Sequence, residues 1–242
     1  MEQIAGIFRS HNQLPFPGWS DMAIPAAMHT LKAADGLVLI DPWEIDAAHL
    51  RAIEDLGQPQ HVLITNLNHE RDAQAYRRRY GARVWAHRDL AGYFGFGLDG
   101  VFDDGDVLPG DLHALSLPGT FRGETVFWHG GEGGSLIFGD ALMNLDLSEY
   151  GLAGDLMQTA GWPDGPGTMP RLLMQDEGRA LQSFRRLFDY EFTRLLMTHG
   201  SPVGAQGREA LRLALDNYSP TVPSFMRGPL SAVYSTVLER IP

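Results

Sequence analysis

Four short segments of this sequence place polar side chains directly after apolar runs: Thr65-Asn66-Leu67-Asn68-His69-Glu70-Arg71-Asp72, Leu117-Pro118-Gly119-Thr120, Phe138-Gly139-Asp140-Ala141 and Met197-Thr198-His199-Gly200. Glu70, Asp72 and Asp140 can bind a cation or move a proton, and His69 and His199 offer imidazoles, which bind metals and carry protons. Asn66, Asn68 and Thr120 offer hydrogen bonds, and Arg71 a fixed cation. In layered α/β folds the loops beyond the C-terminal ends of strands converge on one crevice, so the four segments are expected to share a site. Taken singly, each also reads as a cap or turn, because Asn, Asp, Gly and Thr are turn-forming residues.

The apolar runs that would position these loops are short, rich in Val, Ile, Leu and Phe, and bounded by Gly, Pro, Asn or Asp, which is the pattern of buried strands. Strands are predicted near residues 26–32, 36–40, 61–65, 83–86, 112–117, 125–129, 135–138 and 194–197. Helical spacing falls between them. Residues 45–56 put Leu50, Ile53 and Leu56 on one side and stop at Gly57, while the polar, arginine-rich 70–80 stop at Gly81. Residues 176–192 carry Leu181, Phe184, Leu187 and Phe188 as a stripe that needs a core, and 207–217 form a fourth helix. The stretch 144–170 is irregular, with Pro163, Pro166 and Pro170, and is expected to be a pocket wall, a lid or a disordered loop. Trp162 within it is the tryptophan placed best to line a pocket, with packing favoured over ligand stacking as its role. A single domain over 1–242 is expected, with 144–170 as an irregular insert and 218–242 as a proline-punctuated C-terminal extension.

Composition removes several chemistries. The 242 residues contain no cysteine, so disulfides, thiolate nucleophiles and Cys-rich metal knuckles are excluded and a metal would need His, carboxylate, Asn or backbone oxygen. A formal charge of -11 with Lys32 as the one lysine argues against nucleic acid, whose phosphates need clustered Lys and Arg. No apolar run reaches the roughly 18 residues of a membrane span, and Met1-Glu2-Gln3-Ile4 lacks a basic leader, so a cytoplasmic location is expected. There is no Gly-x-Ser-x-Gly elbow, Walker loop or Gly-x-Gly-x-x-Gly after a strand.

The order and rough spacing of the four loops resemble the metallo-β-lactamase superfamily. Gly36-Leu37-Val38-Leu39-Ile40-Asp41-Pro42 resembles that family's early hairpin, His61 to Thr65 the strand before its metal loop, and Arg83 to His87 the strand after the next helix. The resemblance runs from about Ala26 to Val203 and implies an αββα sandwich, two mixed sheets face to face with helices outside. It also implies two zinc ions that activate a water against a lactam, thioester, lactone or phosphoester. The family's ligand positions in Thr-His-x-His-x-Asp-His fall here on Asn66, Asn68, Glu70 and Arg71, and the histidine of its Pro-Gly-His turn falls on Thr120. Asp140 and His199 alone match, as the bridging aspartate and the last histidine.

On that alignment the first ion has lost its three histidines, and Asn amides are poor zinc ligands beside imidazole. The expected function is therefore a hydrolase-like protein with an eroded dizinc site, binding a small molecule without conventional zinc-hydroxide catalysis. Asp140 and His199 are the candidate catalytic residues, and Asn66, Asn68, His69, Arg71 and Thr120 line the pocket. No cofactor is expected, with Arg71 pairing with Glu70 and Asp140 in place of the ion. The alternative is a single divalent metal, Zn, Mn or Fe, held by Glu70, Asp140 and His199 in a hydrolase of a lactone, thioester or similar ester. His69 is read as a solvated or capping residue unless the loop shifts by one, which would assemble His69, Asp72, Asp140 and His199. A homo-oligomer, or a non-catalytic interaction module using 144–170 or the C-terminal stretch, is a further reading.

Overall fold

The computed structural model describes residues 1–16 and 19–216. The stretch 218–242, read above as an extension and partner surface, lies outside the described residues. Two mixed sheets face each other with helices on both outer faces, the αββα sandwich expected.

The first sheet has seven strands in sequence order: β1 (Glu2–Ile4), β2 (Ile7–Phe16), β3 (Trp19–Ala33), β4 (Gly36–Ile40), β5 (Pro59–Ile64), β6 (Arg83–His87) and β7 (Gly100–Phe102). It is antiparallel through β4 and parallel from β4 to β7. The change of direction requires crossovers, and two are helical: α1 (Ala47–Leu56) links β4 to β5, and α2 (Ala73–Tyr80) links β5 to β6. The Asp46 carboxylate caps α1 by accepting from the His49 amide at 2.7 Å. Left-handed Gly81, φ 71°, ends α2. Leu50 and Ile53 of α1 and Tyr76 of α2 pack with Met28, Leu39, Val62 and Val84 on the sheet's outer face.

The second sheet contains β8 (Val107–Leu108), β9 (Leu112–Ser116), β10 (Thr125–His129) and β11 (Ser135–Phe138), and β14 (Arg194–Met197) pairs in parallel with β11. Between β11 and β14 the chain forms a two-stranded ladder of β12 (Leu142–Leu145) and β13 (Gly165–Thr168), with α3 (Leu152–Thr159) between them. The stretch 144–170, expected to be an irregular pocket wall, lid or disordered loop, holds the end of β12, α3 and β13, and its glycines and prolines sit largely in β13 and the turns. Trp162 packs among Met143, Leu145, Leu147 and Met157 on one side and Phe121, Met169 and Leu173 on the other, which is a core position. Helices α4 (Glu177–Arg186) and α5 (Gly207–Asp216) cover the outer face, where Phe184, Leu187 and Leu211 meet Leu115, Val126, Leu136 and Leu195.

The central core lies between the sheets. Ile7, Leu31, Val38, Ile40, Leu63 and Phe102 of the first interdigitate with Leu112, Ala114, Phe127, Ile137 and Leu196 of the second. Full burial of each large side chain contributes about 1.5–3 kcal/mol. This contact registers the ends of β4, β5, β11 and β14 against one another, and the polar loops follow at those ends.

Candidate functional site

Strand β5 ends at Ile64, and the next residues turn so that the His69 amide donates to the Asn66 carbonyl at 3.2 Å. Arg71 follows in the left-handed region at φ 37°, and Asp41, at the end of β4, also has a positive φ of 50°. Non-glycine residues hold that conformation against a steric cost when their surroundings fix them, as here. The turn sends His69 inward, the shifted arrangement that the sequence reading set second.

His69 and His199 both present Nε2 to one oxygen, Asp140 Oδ1, at 3.2 and 3.0 Å. All three residues are buried, and their ligating atoms lie within 4.8 Å of one another. The outer nitrogens are committed elsewhere. His69 Nδ1 lies 2.8 Å from Asp41 Oδ2, an acceptor that also takes the Thr65 hydroxyl at 2.7 Å. His199 Nδ1 faces the Pro25 carbonyl at 2.9 Å. A carbonyl and a carboxylate only accept, so each Nδ1 carries the proton and each Nε2, when the ring is neutral, turns a lone pair toward Asp140. Three acceptors then meet at one point. That arrangement is favourable only with positive charge among them, as protons or as a cation.

The electrostatics follow from this convergence. Burial and the Arg71 guanidinium oppose a charge on His69, but Asp140 and Asp41 prevail and raise it to about 9. Asp140 is driven well below the usual carboxylate range because, against burial, His69 and His199 favour its charged form. Glu124 is also buried, and its carboxylate accepts from Asn66 Nδ2 at 2.7 Å and from the Asp140 and Ala141 amides at 3.0 and 2.9 Å. Burial and the nearby Asp140 charge nevertheless push Glu124 upward.

The donor set fits a divalent cation: two imidazole nitrogens and one carboxylate suit Zn, Mn or Fe. The outer contacts to Asp41 and the Pro25 carbonyl are of the kind that orient metal-binding histidines.

Other expected residues are placed differently. Glu70 is half-buried and stands outside the converging ligand group, so the expected trio Glu70, Asp140 and His199 is replaced by His69, Asp140 and His199. Arg71 is engaged on other partners. Its Nη1 donates to the Ala27 and Asp41 carbonyls, both at 3.1 Å, its Nη2 lies 3.1 Å from His69 Nε2, and its guanidinium stacks 4.5 Å over Trp43. Asp72 accepts from the Glu44 amide at 2.8 Å and so ties the β4–α1 loop to α2 rather than joining the cluster. Asn66 and Thr120 are fully buried, and Thr120 donates its hydroxyl to the Leu117 carbonyl within its own turn. The Asn68 amide donates to Asn66 Oδ1 at 2.8 Å.

Sequence reasoning passed over Asp41 and Glu124. Asp41 follows a strand end, the same signal that singled out the four loops. Glu124 sits one residue before β10, and nothing in its spacing distinguishes it from a surface glutamate.

No family model and no curated protein matches the chain. Solved structures do. A metallo-beta-lactamase family protein from Thermus thermophilus aligns over 88% of this chain and 80% of its own, at 17% identity and TM-score 0.58. A metallo-beta-lactamase from Hirschia baltica aligns over 91% and 97%, at 16% identity and TM-score 0.61. A mutant flavo di-iron protein from Thermotoga maritima aligns over 86% of this chain and 58% of its own, at 14% identity and TM-score 0.58. Such identities carry architecture and not activity, and the coverage establishes that this chain has the metallo-β-lactamase fold.

Proposed function

We propose that this protein is hydrolase-like in fold with the dizinc centre reduced to a place for one divalent cation. It binds a small molecule in that cleft without two-ion hydroxide catalysis. The supporting observation is the convergence of His69 Nε2 and His199 Nε2 on Asp140 Oδ1, each ring anchored at its other nitrogen. At the positions where the resemblance calls for the other ion, Asn66 and Thr120 spend their polar atoms on internal hydrogen bonds. A cation held by His69, Asp140 and His199 would give a carbonyl or phosphoryl oxygen of the bound molecule a positive partner. The residues of the chain do the rest: Asp41 and the Pro25 carbonyl orient the imidazoles, and Arg71 contributes fixed positive charge beside the ligand.

Metal analysis of the purified protein, followed by titration with Zn, Mn and Fe(II), tests this. One equivalent is expected in the wild type and none with Asp140→Asn, and turnover of a lactone and thioester panel should not exceed that of Asp140→Asn. Two equivalents, or rapid turnover that the variant loses, would contradict the proposal.

One observation favours a second reading. Arg71 Nη2 lies 3.1 Å from His69 Nε2, the atom that an ion would use, so the guanidinium itself can serve as the resident cation. Wild-type protein that takes no metal, together with Arg71→Ala protein that takes one ion, would select that reading.

A further inference from the structure

Asn66 is fully buried, and each polar atom of its side chain is used. Its Nδ2 donates to Glu124 Oε2 at 2.7 Å and to Asp140 Oδ2 at 3.1 Å, while its Oδ1 accepts from the Asn68 amide at 2.8 Å. The orientation of this amide is fixed by chemistry: the atom facing two carboxylates must donate, and the atom facing a backbone N–H must accept. Glu124 completes a clamp. Its Oε1 takes the Asp140 and Ala141 amides, so Asp140 is gripped through its backbone and through one side-chain oxygen at once. Gly139 leaves the room this needs, since a Cβ there would come 3.0 Å from Asn66 Nδ2 and 2.4 Å from Thr65 Oγ1.

The two oxygens of Asp140 are thereby divided. Oδ1 faces the imidazoles, and Oδ2 is taken by the amide. A carboxylate that bridges two cations through both of its oxygens gives one to each, and here an N–H group, which offers no lone pair, occupies the second oxygen. We propose that Asn66, braced by Glu124, is a specificity-determining residue that closes the second cation position and holds Asp140 as a one-oxygen ligand. This rests on the single-cation reading above and adds a cause for it: the second place is filled by a donor rather than merely stripped of histidines.

Asn66→Asp keeps the shape and replaces the two donors by acceptors, so three carboxylates meet where a second ion would sit. In zinc titration of the whole chain, this variant is expected to bind two ions and the wild type one. Asn66→Ala removes the clamp without adding charge. It should still bind one ion, with affinity lower by about 10–100-fold. In metal-free protein its Asp140 and Ala141 amides should exchange with solvent faster than the wild type's, while amides of the inter-sheet core stay unchanged. The proposal is overturned if Asn66→Asp binds one ion, or if Asn66→Ala keeps both wild-type affinity and wild-type exchange at Asp140 and Ala141. A wild type that binds no ion sinks the single-cation reading instead, and the metal-free exchange result still decides whether the clamp exists.

Discussion

Asp41 shows how much of this cleft depends on a residue that touches no ligand. It is fully buried and accepts from the Thr65 amide and hydroxyl and from His69 Nδ1. Replacing it with Asn leaves an amide where an acceptor for three donors is required, so Asp41→Asn should weaken cation binding about 10–100-fold. Breaking a buried charge network of this kind costs about 3–5 kcal/mol, readable in urea unfolding. A second residue-scale prediction concerns His29, which is fully buried with neither ring nitrogen hydrogen-bonded among the described residues. Burial, with Arg9 across the strand pair, holds it down to about 3. The unfolded chain binds that proton below about pH 6.5 and the folded chain does not, so stability is lost as pH falls from about 6.5 toward 3. His29→Leu should flatten that slope in urea midpoints measured across the range. At this scale the sequence is legible in part. Asp140 and His199 are readable because each follows an apolar strand, but the choice of His69 over Glu70 is not. It depends on a turn closed by the His69 amide on the Asn66 carbonyl and on a left-handed Arg71, and one residue of slip in a loop leaves no periodic trace.

At the scale of elements, close backbone approaches set the loops. Gly200, just after His199, has φ +91°, and a Cβ there would lie 1.8 Å from the Asn144 carbonyl oxygen. Gly200→Ala should therefore cost about 1–3 kcal/mol from conformation alone and more from the clash, lowering the melting temperature and the cation affinity together. The N-terminal strands brace the same turn: Arg9 donates to the Gly200 carbonyl, the Ala27 amide to the Thr198 carbonyl, and Pro25 receives His199 Nδ1. This brace is where sequence reading failed most. Residues 7–16 mix Arg9, His11, Asn12 and Gln13 into a strand: Arg9 meets the Gly200 carbonyl after β14, while His11 and Gln13 are exposed and Asn12 is half-buried. Polar residues at both kinds of position break the apolar signature. The strands at 36–40, 125–129, 135–138 and 194–197 bury apolar side chains and were readable to the residue.

For the whole molecule, the two sheets act as a frame whose stability and whose cleft are separable. Phe127 lies in the inter-sheet core, on β10, a strand that supplies none of the three ligands. Phe127→Ala should cost about 3–5 kcal/mol and leave the number of ions bound unchanged, checked by urea unfolding beside zinc titration. The central claim is that this frame presents one cation position, and zinc-edge anomalous diffraction from crystals grown with zinc tests it most directly. The account predicts a single peak at about 2.0–2.2 Å from His69 Nε2, His199 Nε2 and an Asp140 oxygen. Two peaks about 3.5–4 Å apart, or one peak centred on Glu70, would contradict it.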